Sequence, residues 1–154
     1  MLLLLAVFHA GQAIASAYVG TFSAIAIFNL QKREEQTKQA AKYLDTAAHQ
    51  LHKTRTTQTS GAVATLTSLV SSLILAASLA AGTTSLVLST ANALGLALAY
   101  NHLTSFWQNK AKVPFVKDYN DGIRASNNLR QLLAGLTVSW GLATCFYAWQ
   151  TLSD

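Results

Sequence analysis

The stretch "TTQTSGAVATLTSLVSSLILAASLAAGTTSLVLSTANALGLALAYNHLTSFWQN", residues 56–109, runs for 54 residues without a formal charge. A helix needs about 20 mainly apolar residues to cross the hydrocarbon core of a bilayer. The run therefore holds two crossings, with a tight turn at "AAGTTS", residues 80–85. Residues 1–31 and 131–153 are uncharged too, and each has room for one more crossing. The expected fold is all-α: an integral membrane, antiparallel four-helix bundle forming one domain over residues 1–154. Its spans fall at about 5–30, 61–81, 85–108 and 131–150, with charged loops at 32–59 and 110–130.

Composition agrees. The chain is 51% hydrophobic and only 11% charged, against about 25% charged in soluble domains. A water-soluble bundle of this size needs more charge to cover its surface. Cys145 is the single cysteine, which excludes an intrachain disulfide. The net charge of +5 sits in two short blocks beside apolar runs. That arrangement is a topology signal rather than a phosphate-binding surface, and nucleic acid is not an expected partner.

All eleven Lys and Arg residues lie in the two charged loops, six in the first and five in the second. In a four-span chain those loops share one side. The positive-inside rule puts them in the cytoplasm and both termini in a lumen or outside the cell. The expected location is the endoplasmic reticulum or another endomembrane. At the N-terminus, Ala15-Ser16-Ala17 resembles a signal-peptidase site. No basic residue precedes the apolar core, however, and the apolar character continues to Leu30, so an uncleaved first span is the preferred reading.

The first loop has helical character. Glu34 and Lys38 stand four apart, and Tyr43, Leu44, Ala47, Ala48 and Leu51 share one helical face. A helix continuing from the first span through about Leu51 is expected. His49 and His52 in this loop lack the further ligands of a metal site, so no metal is expected there. In the second loop Pro114 is a breaker and "YNDG" reads as a turn, leaving Ser126, Asn127 or Asn128 to cap the last span.

Helices in lipid associate through small and polar residues. His9, Gln12, Ser16, Gly20 and Ser23 form such a stripe in span one; Gly61, Thr65, Ser68 and Ser72 in span two. Span three has Ser85, Ser89, Asn92, Gly95, Ala99 and His102, and span four Gly135, Ser139 and Cys145. Phe106, Trp107, Tyr147 and Trp149 fall at interface-belt positions, while Trp140 is mid-span and packs in the bundle or against lipid. His102 has two readings: hydrogen-bonded packing, or the ligand or proton site that an ionisable group in a membrane suggests. No carboxylates lie in the spans, and phosphate-binding glycine loops and CxxC motifs are lacking. No cofactor is indicated.

The segment "VPFVKDYNDGIRASNNLRQLLAGLTVSWGLATCFYAW", residues 113–149, resembles the end of small four-span membrane proteins that include the fungal anthrone oxidases. The matching elements are Pro114, then Asn127 or Asn128 with Leu129, then Trp140. The stretches "GQAIASAYVGTFSAIAIF" and "QTSGAVAT" share the family's small-residue texture, although the first lacks the expected terminal proline. The resemblance implies cofactor-independent oxidation of a lipophilic anthrone-like carbon acid by molecular oxygen, in polyketide secondary metabolism. His102 would be the base, and Asn101 or Asn92 the oxyanion donor. Asn127 or Asn128 would close the cytoplasmic mouth, and Trp140 and Gln12 would complete substrate binding. The rival expectation is a non-catalytic scaffold or accessory subunit, in which the same stripes pack against a partner membrane protein or a second copy. A channel is disfavoured by the lack of a charged lining.

The eleven-to-zero distribution of basic residues makes a direct prediction. Glycosylation acceptors introduced at the N-terminus and at residues 80–85 should be modified, and those in the two charged loops should not. Modification of either charged loop would overturn the orientation.

Overall fold

The computed structural model describes residues 2–153 except Leu79 and Val113, leaving aside the side chains of residues 2, 35–37, 40 and 41. Leu79 of the expected span 61–81 and Val113 of the second loop thus lie outside the described residues. Among the described residues the regular elements are four helices: α1 (Leu2–Ala41), α2 (Asp45–Ala76), α3 (Thr83–Trp107) and α4 (Lys117–Ser153). Each packs on its two chain neighbours in a closed ring, since α1 meets α4 as well as α2, and α2 also touches α4 across the centre.

The α2–α3 turn lies at residues 77–82, slightly earlier than expected. Ser78 and Gly82 both have positive φ there. Gly82 combines φ 54° with ψ −131°, a conformation that only glycine adopts without strain.

Two sequence expectations are corrected. The helix of span one does not continue to Leu51. It ends at Ala41, and Leu44 takes an extended conformation ahead of α2. The Glu34–Lys38 pair does form, at 3.2 Å, and Glu34 also pairs with Arg55 of α2. The apolar positions after Lys42 instead open the second helix, so the first charged loop is a helical hairpin. The second correction concerns α4, which starts at Lys117, so Ser126, Asn127 and Asn128 are interior to it rather than capping it. Pro114 and the positive φ of Phe115 end the connection early. The "YNDG" segment is then drawn into the helix because Gly122 packs directly on Leu30 of α1.

At about 1.5 Å per residue, the 25 residues of α3 cover roughly 37 Å, close to one bilayer crossing. The other three helices are longer and project beyond α3 at the charged end. Segments of α1 (Leu3–Glu34), α2 (Asp45–Ala76) and α4 (Lys117–Ser153) are long and apolar enough to cross a membrane. α3 is not among them: Asn92, Asn101 and His102 lower its apolar content.

The bundle is apolar on its surface, and small polar side chains share its interior with a hydrophobic core. His9, Gln12, Ser16, Ser23, Thr65, Ser68, Ser72, Ser85, Ser89 and Asn92 are buried, while Ile14, Leu66, Val70, Leu94, Leu98, Val138 and Leu142 are exposed. α4 departs from the expected stripe. Gly135 and Cys145 are exposed, and the helix faces inward with Leu129, Leu133, Leu136, Trp140 and Tyr147. The other helices mix small polar groups with buried Val19, Leu30, Leu75, Leu96, Leu103 and Trp107, and α4 contributes the largest share of bulky side chains to the core. Trp107 and Tyr147 are buried rather than placed in an interface belt, whereas Trp149 is exposed.

A Cβ at Gly122 would lie 2.8 Å from Leu30 Cδ2 and 2.9 Å from its Cγ, whereas one at Gly135 would meet nothing within 4 Å. Gly122→Ala should therefore destabilise the bundle by about 1–3 kcal/mol through overpacking. Gly135→Ala should be neutral or slightly stabilising, through helix propensity. Thermal unfolding of the two variants in detergent micelles measures the difference.

Candidate functional site

Two polar centres lie between the helices, and their hydrogen bonding separates them. The first is at the uncharged end. Gln12 Nε2 donates to Ser139 Oγ at 2.8 Å, which leaves Gln12 Oε1 to accept from His9 Nδ1–H at 2.6 Å. A neutral imidazole has one donor and one acceptor. His9 Nε2 is then the acceptor for the Tyr147 hydroxyl, 2.8 Å away. One layer deeper, Ser16 and Ser68 share a hydroxyl bond, and Trp140 Nε1 donates to Ser68 Oγ, both at 2.8 Å. These bonds tie α1, α2 and α4 together, and both ring nitrogens of His9 are satisfied. The centre is a structural tie. It includes Gln12 and Trp140, which the resemblance assigned to substrate binding.

The second centre is a groove of about 600 Å³ between α2 and α3, open on the apolar flank. Three residues anticipated for chemistry, Asn92, Asn101 and His102, line it together with Ser60, Ala64 and Gly95. Gly95 and Ala64 leave room for it: a Cβ on Gly95 would meet nothing within 4 Å.

The tautomer of His102 follows from its neighbour. Ser60 Oγ donates to the Thr57 carbonyl at 2.8 Å, as a serine hydroxyl inside a helix does to the carbonyl one turn back. With its proton committed there, Ser60 Oγ accepts from His102 Nδ1–H at 3.1 Å. His102 Nε2 then carries the lone pair, and it has no partner among the described residues. Asn92 lies roughly 15 Å away along the helix, ten residues at about 1.5 Å each. Its Nδ2 donates to the Leu88 carbonyl at 2.8 Å, while its buried Oδ1 has no partner. One N–H of Asn92 is thus engaged within its own helix, and its buried oxygen is an uncommitted acceptor. Asn101 is exposed.

Asn127 and Asn128 do not line the groove. They are half-buried on α4, and Asn127 Oδ1 is buried without a partner. His49 and His52 are exposed at the start of α2. Sequence reading did not single out Ser60, which orients His102, or Tyr147, which ties His9. Ser60 stands beside the charged loop, where a serine gives no signal of its own. Tyr147 was read as an interface aromatic because it lies near a span end.

No family model, curated protein or solved structure matches the chain.

A double-mutant cycle tests the structural role of the first centre. Tyr147→Phe and His9→Leu should each lower thermal stability in micelles, and their coupling should be about 0.6–1.7 kcal/mol, the span measured for hydrogen bonds between membrane helices. Additive effects would separate the two residues.

Proposed function

We propose that this chain is an integral membrane protein whose α2–α3 groove takes a lipophilic aromatic carbon acid, oxidised there by molecular oxygen with His102 as base. Insertion is supported by the large apolar side chains left exposed around the bundle: a soluble monomer rarely exposes so extensive an apolar surface. In this reading four helices cross, α3 included, its Asn92 being turned inward. The charged ends face the cytoplasm of an endomembrane and both termini face the lumen or the exterior.

The observation that carries the chemistry is the His102 imidazole, with Nδ1–H held by Ser60 and Nε2 left bare in an otherwise apolar groove. A base needs its lone pair directed at substrate, and an orienting partner on the other nitrogen is the usual way to fix it. The carbon acid loses a proton to Nε2 and becomes an electron-rich enolate. The enolate transfers electrons to oxygen and forms the new C–O bond. Loss of the second hydrogen with O–O cleavage releases water, so an anthrone plus O2 gives an anthraquinone plus H2O. The chain supplies the base, the exclusion of water, and the exposed amide of Asn101 as donor to the developing oxyanion. Asn92 Oδ1 accepts from a phenolic hydroxyl at the far end of the ligand. Asn127 and Asn128 have no contact role in this reading, and Gln12 and Trp140 act by holding the bundle.

A second reading rests on the same groove. Gly95 and Ala64 are also what a partner transmembrane helix would pack against, so a scaffold or accessory subunit would dock at this flank.

His102→Gln keeps size and polarity and removes the base. Anthraquinone formation from an anthrone, in membranes with matched protein and corrected for autoxidation, should fall by about 10²- to 10⁴-fold. Equal rates would remove His102 from the mechanism. Lack of turnover by the parent on a panel of anthrones would favour the docking reading.

A further inference from the structure

At the charged end, a second pocket of about 500 Å³ opens between α1 and α2, bounded by Tyr119 of α4 and by Lys110 of the α3–α4 connection. Its wall carries Arg33, Arg55 and Lys110 together with the carboxylate of Glu34. That carboxylate is already shared by Arg55 and Lys38. Lys110 is held by the Gln50 carbonyl oxygen at 2.5 Å and lies 4.2 Å from the centre of the Phe106 ring, without a carboxylate partner among the described residues. Burial pushes the pKa of its ammonium below the usual lysine range. An anion beside it would restore what desolvation removes.

The pocket also has an apolar wall, formed by Ile27, Leu30 and Leu51. Gln58, 4% exposed, lines it as well. The orientation of the Gln58 amide is fixed from behind. Ser126 Oγ donates to the Gly122 carbonyl and so can only accept from Gln58 Nε2, at 2.8 Å. Gln58 Oε1 remains, buried and without a partner. An unpartnered buried acceptor is costly, and a donor supplied by a ligand removes that cost.

Cations, an apolar wall and a waiting acceptor describe an amphiphile: a phosphate for the cations, acyl carbons for Leu30 and Leu51, and a hydroxyl for Gln58. We infer that this pocket binds the headgroup of an anionic phospholipid that carries hydroxyls, of the inositol type. The pocket sits where three helices emerge past the end of α3, the level at which a cytoplasmic leaflet presents its headgroups, and basic pockets between helices at that level bind such lipids. The inference rests on membrane insertion and is independent of oxidation at His102.

Native mass spectrometry of the full chain in detergent micelles tests it. The probes are phosphatidylinositol, phosphatidylcholine, and phosphatidylmethanol, an anionic lipid whose headgroup has no hydroxyl. Phosphatidylinositol should bind more tightly than the other two. Lys110→Gln, a change outside the bundle core, should weaken that binding about fivefold. Gln58→Leu should abolish the preference for phosphatidylinositol over phosphatidylmethanol while leaving phosphatidylmethanol bound. Phosphatidylinositol held no tighter than phosphatidylcholine, or unaffected by Lys110→Gln, would overturn the proposal. Displacement by inositol 1-phosphate at equal concentration would transfer the pocket to a soluble phosphorylated polyol and overturn the lipid assignment.

Discussion

A polar group buried between helices has no water to turn to, and the packing of these helices follows from that constraint. Many of the buried hydroxyls solve it within their own helix. Thr65, Ser72, Ser89 and Ser126 each donate to the carbonyl four residues earlier. Their contribution to the fold is smallness, which brings the helices close. Fewer groups reach across: His9 to Tyr147, Gln12 to Ser139, Ser16 and Trp140 to Ser68, Gln58 to Ser126, and Trp107 to Thr57. The longer polar side chains do most of this work, because a serine cannot span the gap that Leu133, Leu136 and Trp140 of α4 hold open.

These ties cluster towards the two ends. The uncharged end is fixed around His9. The charged end is fixed by Trp107 on Thr57, by Gln58 on Ser126, and by Leu30 against Gly122. The α2–α3 seam is tied by Trp107 on Thr57 and, about one turn further in, by His102 on Ser60, and beyond them it opens into the groove. A gap in one seam is stable because the rest of the ring holds the two helices in place. The proposed chemistry and the proposed lipid site draw on the same economy: each uses an atom that the bundle leaves unpartnered, His102 Nε2 and Asn92 Oδ1 in one case and Gln58 Oε1 in the other.

The 54-residue uncharged run, the basic blocks and the period of the small residues were enough to predict an all-α chain of four antiparallel helices, with the charged segments at one end. These are properties of length and periodicity, and an isolated helix already has them. The stripes of α1 and α2 and most of that of α3 were legible for the same reason. Tertiary structure decided what depends on a neighbour. α4 turns Leu129, Leu133, Leu136 and Trp140 inward to complete a core that Val19, Leu96, Leu103 and Trp107 share. "YNDG" is helical because Leu30 packs on Gly122. Tyr147 leaves the interface because His9 offers it an acceptor. His102 stood out in the sequence, but which of its ring nitrogens is engaged was decided by Ser60, 42 residues away, since a tautomer is set by a partner in space and leaves no trace in sequence.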